Sequence, residues 1–221
     1  YQKITKDVFQ SQVNFVTAMG RAFSTFMKTN SITDANKSSV KIAELLAKYC
    51  DSILRKSSNS SGAADDITKA IDKFIDIFRY ISDDDVFERF YSKKMSLRII
   101  NSLFISEEYE SEMLSQLKNV KGELYTSKMN RMINDLNTSR RLNSEFAESV
   151  ARESAYKGIS IEIIVATGNA WPLHYDQGNK PVLPKELQII SDRFSAFYIN
   201  KNAGKKLQWL YNMNSGELRV N

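Results

Sequence analysis

The chain has 221 residues, 42% of them hydrophobic and 26% charged, a composition that folds and leaves room for a sizeable core. Its net charge of +5 and pI of about 9.1 come from mixed charges rather than one basic tail, so an acidic partner is permitted but not demanded. One cysteine, Cys50, and one histidine, His174, exclude an internal disulfide, a cysteine-rich zinc site and a His-rich metal site.

Phe9, Val13, Val16, Gly20, Phe23 and Met27 recur at helical spacing and predict one long helix, with Phe15, Ala22 and Phe26 as a second apolar edge. Thr29 to Ser39 is polar, and Asn30-Ser31 and Ser38-Ser39 suit a loop with a cap. Ile42, Leu45, Leu46, Tyr49 and Ile53 mark the next helix, which stops at the linker-like run from Ser57 to Gly62. Cys50 within it reads as a buried small hydrophobe. Ile67, Ile71, Phe74, Ile75, Phe78 and Ile81 predict a strongly amphipathic helix.

After Ser82-Asp83-Asp84, the spacing of Asp85 and Glu88 suits a capping box, and Val86, Phe90, Leu97, Ile100 and Phe104 line the helix that follows. Ser106 opens a helix carrying Tyr109, Met113, Leu117 and Val120, which ends near Gly122. Tyr125, Met129, Met132 and Leu136 continue with helical spacing. Thr138-Ser139 then reads as the cap of a further segment with Leu142, Phe146 and Val150. Consecutive helices with short connections predict an antiparallel bundle.

The period changes at Gly158. Ile159, Ile161, Ile163 and Val165 alternate with Ser160, Glu162, Ile164 and Ala166 and predict a strand. Pro184 suits the first position of a helix bearing Leu187, Ile190, Phe194 and Phe197. Leu207, Trp209 and Tyr211 alternate in a second predicted strand, and Asn214-Ser215-Gly216 turns it toward a return strand with Leu218 and Val220. The fold class is therefore mainly α: an antiparallel helical bundle followed by a small α/β subdomain, cut at its C-terminus.

Enzymatic chemistry is not written in this pattern. The glycines are too scattered for a phosphate-binding loop, and the carboxylates fit caps and solvated helix faces; no cofactor or metal is expected. No apolar run reaches the roughly 20 residues that span a bilayer, and no signal peptide opens the chain. Tyr1 in place of an initiator Met suggests a piece of something longer. Arg89 to Lys94 and Lys201 to Tyr211 interleave bases with aromatics, so a helical nucleic-acid-binding module is the alternative reading.

Taken in order, several blocks resemble the cullin family. They are Leu45-Leu46-Ala47-Lys48-Tyr49-Cys50-Asp51-Ser52, Asp84-Asp85-Val86-Phe87, Phe90-Tyr91-Ser92-Lys93 and Tyr125-Thr126-Ser127-Lys128-Met129. Ala170-Trp171-Pro172-Leu173, Leu183-Pro184-Lys185-Glu186-Leu187, Phe197-Tyr198 and Gly204-Lys205-Lys206-Leu207-Gln208-Trp209-Leu210 complete the set. The collinear resemblance covers nearly the whole chain and is closest in character to the first cullin subgroup. It departs where cullins usually read Tyr-x-Lys-Met-Leu-Ala-Lys-Arg-Leu: Lys94 replaces an apolar residue and Leu97 a lysine. Lys121 stands where a cysteine is common.

The resemblance implies three parts: the last helix of an N-terminal repeat over 1–30, a four-helix bundle over 31–157, and a partial α/β subdomain over 158–221. It implies a non-catalytic, intracellular scaffold of a ubiquitin ligase, in cytoplasm and nucleus, with no membrane and no nucleic acid as partner. Its partners would be a RING-H2 subunit, a ubiquitin-conjugating enzyme and a cullin exchange factor. The RING-H2 subunit would add a strand to the sheet, with Ile159, Ile161, Ile163, Val165, Leu207, Trp209, Tyr211, Leu218 and Val220 as candidate contacts. Packing against the Pro184 helix must claim one face of each strand. Arg55 and Lys56 match basic positions that attract an acidic tail of the conjugating enzyme. The parts that carry neddylation and the substrate adaptors would lie beyond either end.

Overall fold

A computed structural model describes residues 2–36, 40–56, 64–151, 159–174 and 181–216. It is mainly helical, as the periodicity predicts. The helices are α1 (Gln2–Asp7), α2 (Val13–Lys28), α3 (Ser31–Asn36), α4 (Val40–Leu54), α5 (Ala64–Phe78), α6 (Asp84–Ile100), α7 (Glu107–Lys121), α8 (Glu123–Val150) and α9 (Lys185–Lys201). The chain divides into two compact units, residues 1–130 and 131–221. The linker-like run at 57–62 and the cap at Ser38-Ser39 lie outside the described residues.

In the first unit, α1 and α2 replace the single long helix that the stripe from Phe9 predicts. Gln10 and Ser11 take positive φ values of 45° and 56°, which no helix accommodates, and Phe9 stacks on Phe15 across the break at 4.0 Å. No residue of α2 is fully buried. Of the predicted stripe Gly20, Phe23 and Met27 are half-buried, with Phe23 stacked on Tyr80 at 5.3 Å, while Val13 and Val16 of that stripe and Phe15 and Phe26 of the second edge are exposed. The polar stretch expected as a loop holds α3. The Asn30 side chain accepts from the amides of Ile32 and Thr33 and so starts a helix where polarity alone suggests none.

The first unit's core lies among α4, α5, α6 and α7. The α5 residues Ile71, Phe74, Ile75 and Phe78 are buried as predicted, and Phe74, Phe78, Phe87 and Tyr91 form a chain of ring contacts at 4.8 to 5.7 Å. On α4 the buried face is Ala43, Ala47, Cys50, Asp51 and Leu54, rotated from the expected Leu45 and Tyr49, which are exposed. Three small residues on that face let α6 approach closely, a gain that a search for large apolar residues misses. The α6 face is likewise rotated: Val86, Phe87, Tyr91, Met95, Arg98 and Ile99 are buried, whereas Phe90, Leu97 and Ile100 are half-buried.

Capping chemistry is mixed. Ser106 caps α7 by accepting from the Tyr109 amide at 3.4 Å, and Gly122 ends α7 at φ 91°, where a Cβ would be strained. The capping box expected of Asp85 and Glu88 does not form. The helix already starts at Asp84, with Asp83 at the cap position and no side-chain cap bond. Pro184 precedes α9 as its cap residue, one position before the predicted one.

Thr138 and Ser139 do not begin a new helix, because α8 runs unbroken for 28 residues. In the second unit its later turns supply Leu142, Phe146 and Val150 to a core shared with Ile163 and with Ile190, Phe194 and Tyr198 of α9. The predicted strands form no ladder among the described residues. Residues 159–167 form no regular secondary structure and have no strand partner among the described residues. Their alternate amides at 163, 165 and 167 bond to one helix, the pattern of an extended course, and Tyr211 falls in a short 3-10 turn, Tyr211–Met213. Leu218 and Val220 lie outside the described residues.

Candidate partner-binding site

Extended chain needs partners for its backbone groups. For residues 163, 165 and 167 the partners among the described residues are side chains of α8. Asn143 of α8 accepts from the Ile163 amide at 3.0 Å and donates to the Ile163 carbonyl at 2.8 Å. Ser139 Oγ accepts from the Val165 amide at 2.8 Å. Asp135 accepts from the Thr167 amide at 2.8 Å, from the Thr167 hydroxyl at 3.0 Å and from Trp171 Nε1 at 2.9 Å. Asp135 is also paired with Arg131 at 3.5 Å.

The candidate contacts are brought together. Ile163 is buried in the α8–α9 core, and Ile159, Ile161, Val165, Leu207 and Trp209 pack against it. Trp209 meets Phe194 edge-on at 6.1 Å and donates through Nε1 to Ser195 Oγ at 3.1 Å. Tyr211 stacks on Trp209 at 6.4 Å. Packing therefore engages the described candidates, as the sequence requires for one face. What stays open is the backbone edge turned away from α8: no hydrogen bond involves the Glu162, Ile164 or Ala166 amides among the described residues.

Arg55 and Lys56 sit where α4 meets the α6–α7 connection. The Arg55 backbone bridges Phe104, the Lys56 amide donates to the Leu103 carbonyl at 2.6 Å, and the Ile105 amide donates to the Leu54 carbonyl at 3.0 Å. Both side chains are exposed, but Arg55 leans on Asp51 at 3.5 Å. Lys94, one of the departures from the family pattern, reaches the same carboxylate at 3.6 Å. Lys121, another departure, pairs with Asp84 at 2.7 Å and lies 5.6 Å over the Phe78 ring.

Beneath this surface is a charge cluster that sequence reasoning missed. Arg98 is fully buried; its Nε and Nη2 donate to both oxygens of Glu110 at 2.8 and 2.9 Å, and its Nη1 to Asp51 at 2.6 Å. Burial works against the Arg98 charge, but the hydrogen bonds and charge of Glu110, joined by Asp51, outweigh it and push the guanidinium up. The guanidinium lies 5.5 Å over the Tyr91 ring, and the Tyr91 hydroxyl reaches Glu110 at 3.5 Å. One signal was available: Phe87, Tyr91 and Arg98 fall at i, i+4 and i+11, so a charge stands in an apolar stripe.

Tyr91 is thus enclosed and Trp209 is committed to Phe194. These two rings are used internally, while Phe90 and Tyr211 of the same basic-aromatic segments are half-buried; no observation supports the nucleic-acid alternative.

Comparison with known proteins agrees with this architecture. The family described as "Cullin alpha solenoid domain" matches residues 1–143, and "Cullin alpha+beta domain" matches residues 165–221. The chain is 37% identical to Cullin-1 of Dictyostelium discoideum, over 100% of this chain and 28% of that protein. It is 35% identical to Cullin-1 of Schizosaccharomyces pombe, over 99% and 28%. With human Cullin-4A it is 33% identical, over 91% and 25%. The chain thus spans about a quarter of the length of the curated relatives it matches. With the solenoid match covering more than half of its residues and these relatives aligned along nearly all of it, the chain belongs to the cullin family.

Proposed function

We propose that this chain is the RING-binding portion of a cullin scaffold in a ubiquitin ligase. The observation that carries the reading is the 159–167 segment: anchored to α8 through the Ile163, Val165 and Thr167 amides, with the alternate Glu162, Ile164 and Ala166 amides unpaired among the described residues. A backbone edge of this kind accepts a further strand through backbone hydrogen bonds. A RING-H2 subunit bound there recruits a ubiquitin-charged conjugating enzyme, and the scaffold holds it near substrate. The gain is effective concentration and orientation, so no side chain of this chain performs the chemistry.

Arg55 and Lys56 serve as an electrostatic guide for an acidic tail of the conjugating enzyme. Because Asp51 partly neutralises Arg55, Lys56 carries more of that attraction. The 1–30, 31–157 and 158–221 parts correspond to a repeat end, a bundle and the RING-binding subdomain. Localisation follows the ligase, in cytoplasm and nucleus. Co-expression with a RING-H2 subunit, with and without that subunit's N-terminal strand, tests the reading by size-exclusion chromatography in high salt. A complex that requires the strand supports it; no complex with either form contradicts it.

A further inference from the structure

On α8, Asp135, Ser139 and Asn143 stand four residues apart and form one row on the helix surface. They accept in turn from the amides of Thr167, Val165 and Ile163, two residues apart on the extended segment. The two repeats are commensurate. Four helical residues rise about 6 Å, and two extended residues rise about 6.6 Å. Three successive rungs therefore fit without bending either element.

Apolar packing alone does not fix this alignment. Ile159, Ile161, Ile163 and Val165 are nearly interchangeable at alternate positions, so a slip of two residues keeps the same face buried. The polar rungs distinguish the registers, because Asp135 also takes the Thr167 hydroxyl and Trp171 Nε1, and only one alignment supplies both.

We propose that Asp135, Ser139 and Asn143 are positioning residues for the RING-H2 subunit. They lock the register of the 159–167 segment, so that the backbone edge carrying Glu162, Ile164 and Ala166 is the one offered to the incoming strand. This rests on the RING-binding reading above. Recognition through a strand edge depends on register, since a shift changes which partner side chain meets which residue. The α8 row thus acts as a template in the place a neighbouring strand would occupy.

The test is residue-resolved amide hydrogen exchange by NMR on the whole chain, free and bound to the RING-H2 subunit, together with affinity and melting temperature. Free, Ile163, Val165 and Thr167 are protected and Glu162, Ile164 and Ala166 exchange fast. Bound, the latter three slow by tenfold or more, on the order expected of newly formed backbone bonds. Asn143→Ala and Ser139→Ala each weaken affinity by about tenfold, as expected when a part-buried backbone group loses its partner. Ser139→Thr, which keeps the oxygen, restores it.

Val150→Ala loosens the same apolar core without touching a rung. At an equal fall in melting temperature it leaves affinity within about twofold, a difference of less than half a kcal/mol. A complex that leaves Glu162, Ile164 and Ala166 fast overturns the proposal, as does an affinity that merely follows melting temperature across all variants. Failure of the unaltered chain to bind the subunit overturns the RING-binding reading itself, and this inference with it.

Discussion

Replacing Arg98 with Met tests the energetic reading of the first unit's core. The substitution removes three charge-assisted hydrogen bonds, of 2.6, 2.8 and 2.9 Å. Asp51 keeps Arg55 and Lys94 nearby, but Glu110, buried to 1% exposure, keeps among the described residues only the Tyr91 hydroxyl at 3.5 Å. The loss is therefore mainly that of an uncompensated buried carboxylate, about 3–5 kcal/mol. For a chain of this size each kcal/mol lowers Tm by about 2–4 °C, so Tm should fall on the order of 10 °C. Adding Glu110→Met removes the orphaned charge and should recover most of the stability, because a buried pair exchanged for apolar residues is nearly neutral. Urea denaturation followed by circular dichroism measures both. A single variant losing less than about 1 kcal/mol, or a double variant no more stable than the single, would refute the reasoning.

Other outcomes follow from the same structure. Cys50 is fully buried and its thiol is pushed up by that burial, so a thiol reagent should label it only as the protein unfolds; rapid native labelling contradicts the packing. Burial first, then the nearby carboxylates, push up the Tyr91 and Tyr125 hydroxyls. The unfolded chain then ionises first, so stability should be intact below about pH 10 and fall above it. A spectrophotometric titration should show two tyrosines silent until unfolding. Hydrogen bonds from Lys48 and then Lys41 hold the Glu44 carboxyl down to about 2. Its contribution is present above the ordinary value of 4.5 and is lost as pH falls toward about 2, so Glu44→Gln should flatten the Tm profile across that window.

Where a structural cause is local, the sequence announces it. The α5 stripe, the Ser106 cap and the Gly122 terminus each depend on residues within a turn or two, and each appears where expected. Ser139 shows the limit. A serine after a threonine inside a helical pattern reads as a cap, yet its partner is the Val165 amide 26 residues away. The alternation from Ile159 to Val165 predicts a strand, yet no ladder forms among the described residues; period two says nothing about what satisfies the backbone, and here side chains of α8 bond the Ile163 and Val165 amides. On α4 and α6 the spacing of large residues predicts a core face rotated from the observed one, which includes Ala43, Ala47 and Arg98. Close approach and charge pairing are settled between elements, not along one.

Binding of the RING-H2 subunit at low and high salt is the most direct test of the central claim. A strand added through backbone hydrogen bonds should hold nearly constant affinity from about 50 to 200 mM salt, whereas contacts to a polyanion lose orders of magnitude over that range. Tight binding that persists in high salt and disappears when the subunit's N-terminal strand is deleted is the predicted result. Binding that collapses with salt, or that is indifferent to deletion of the strand, would contradict the account.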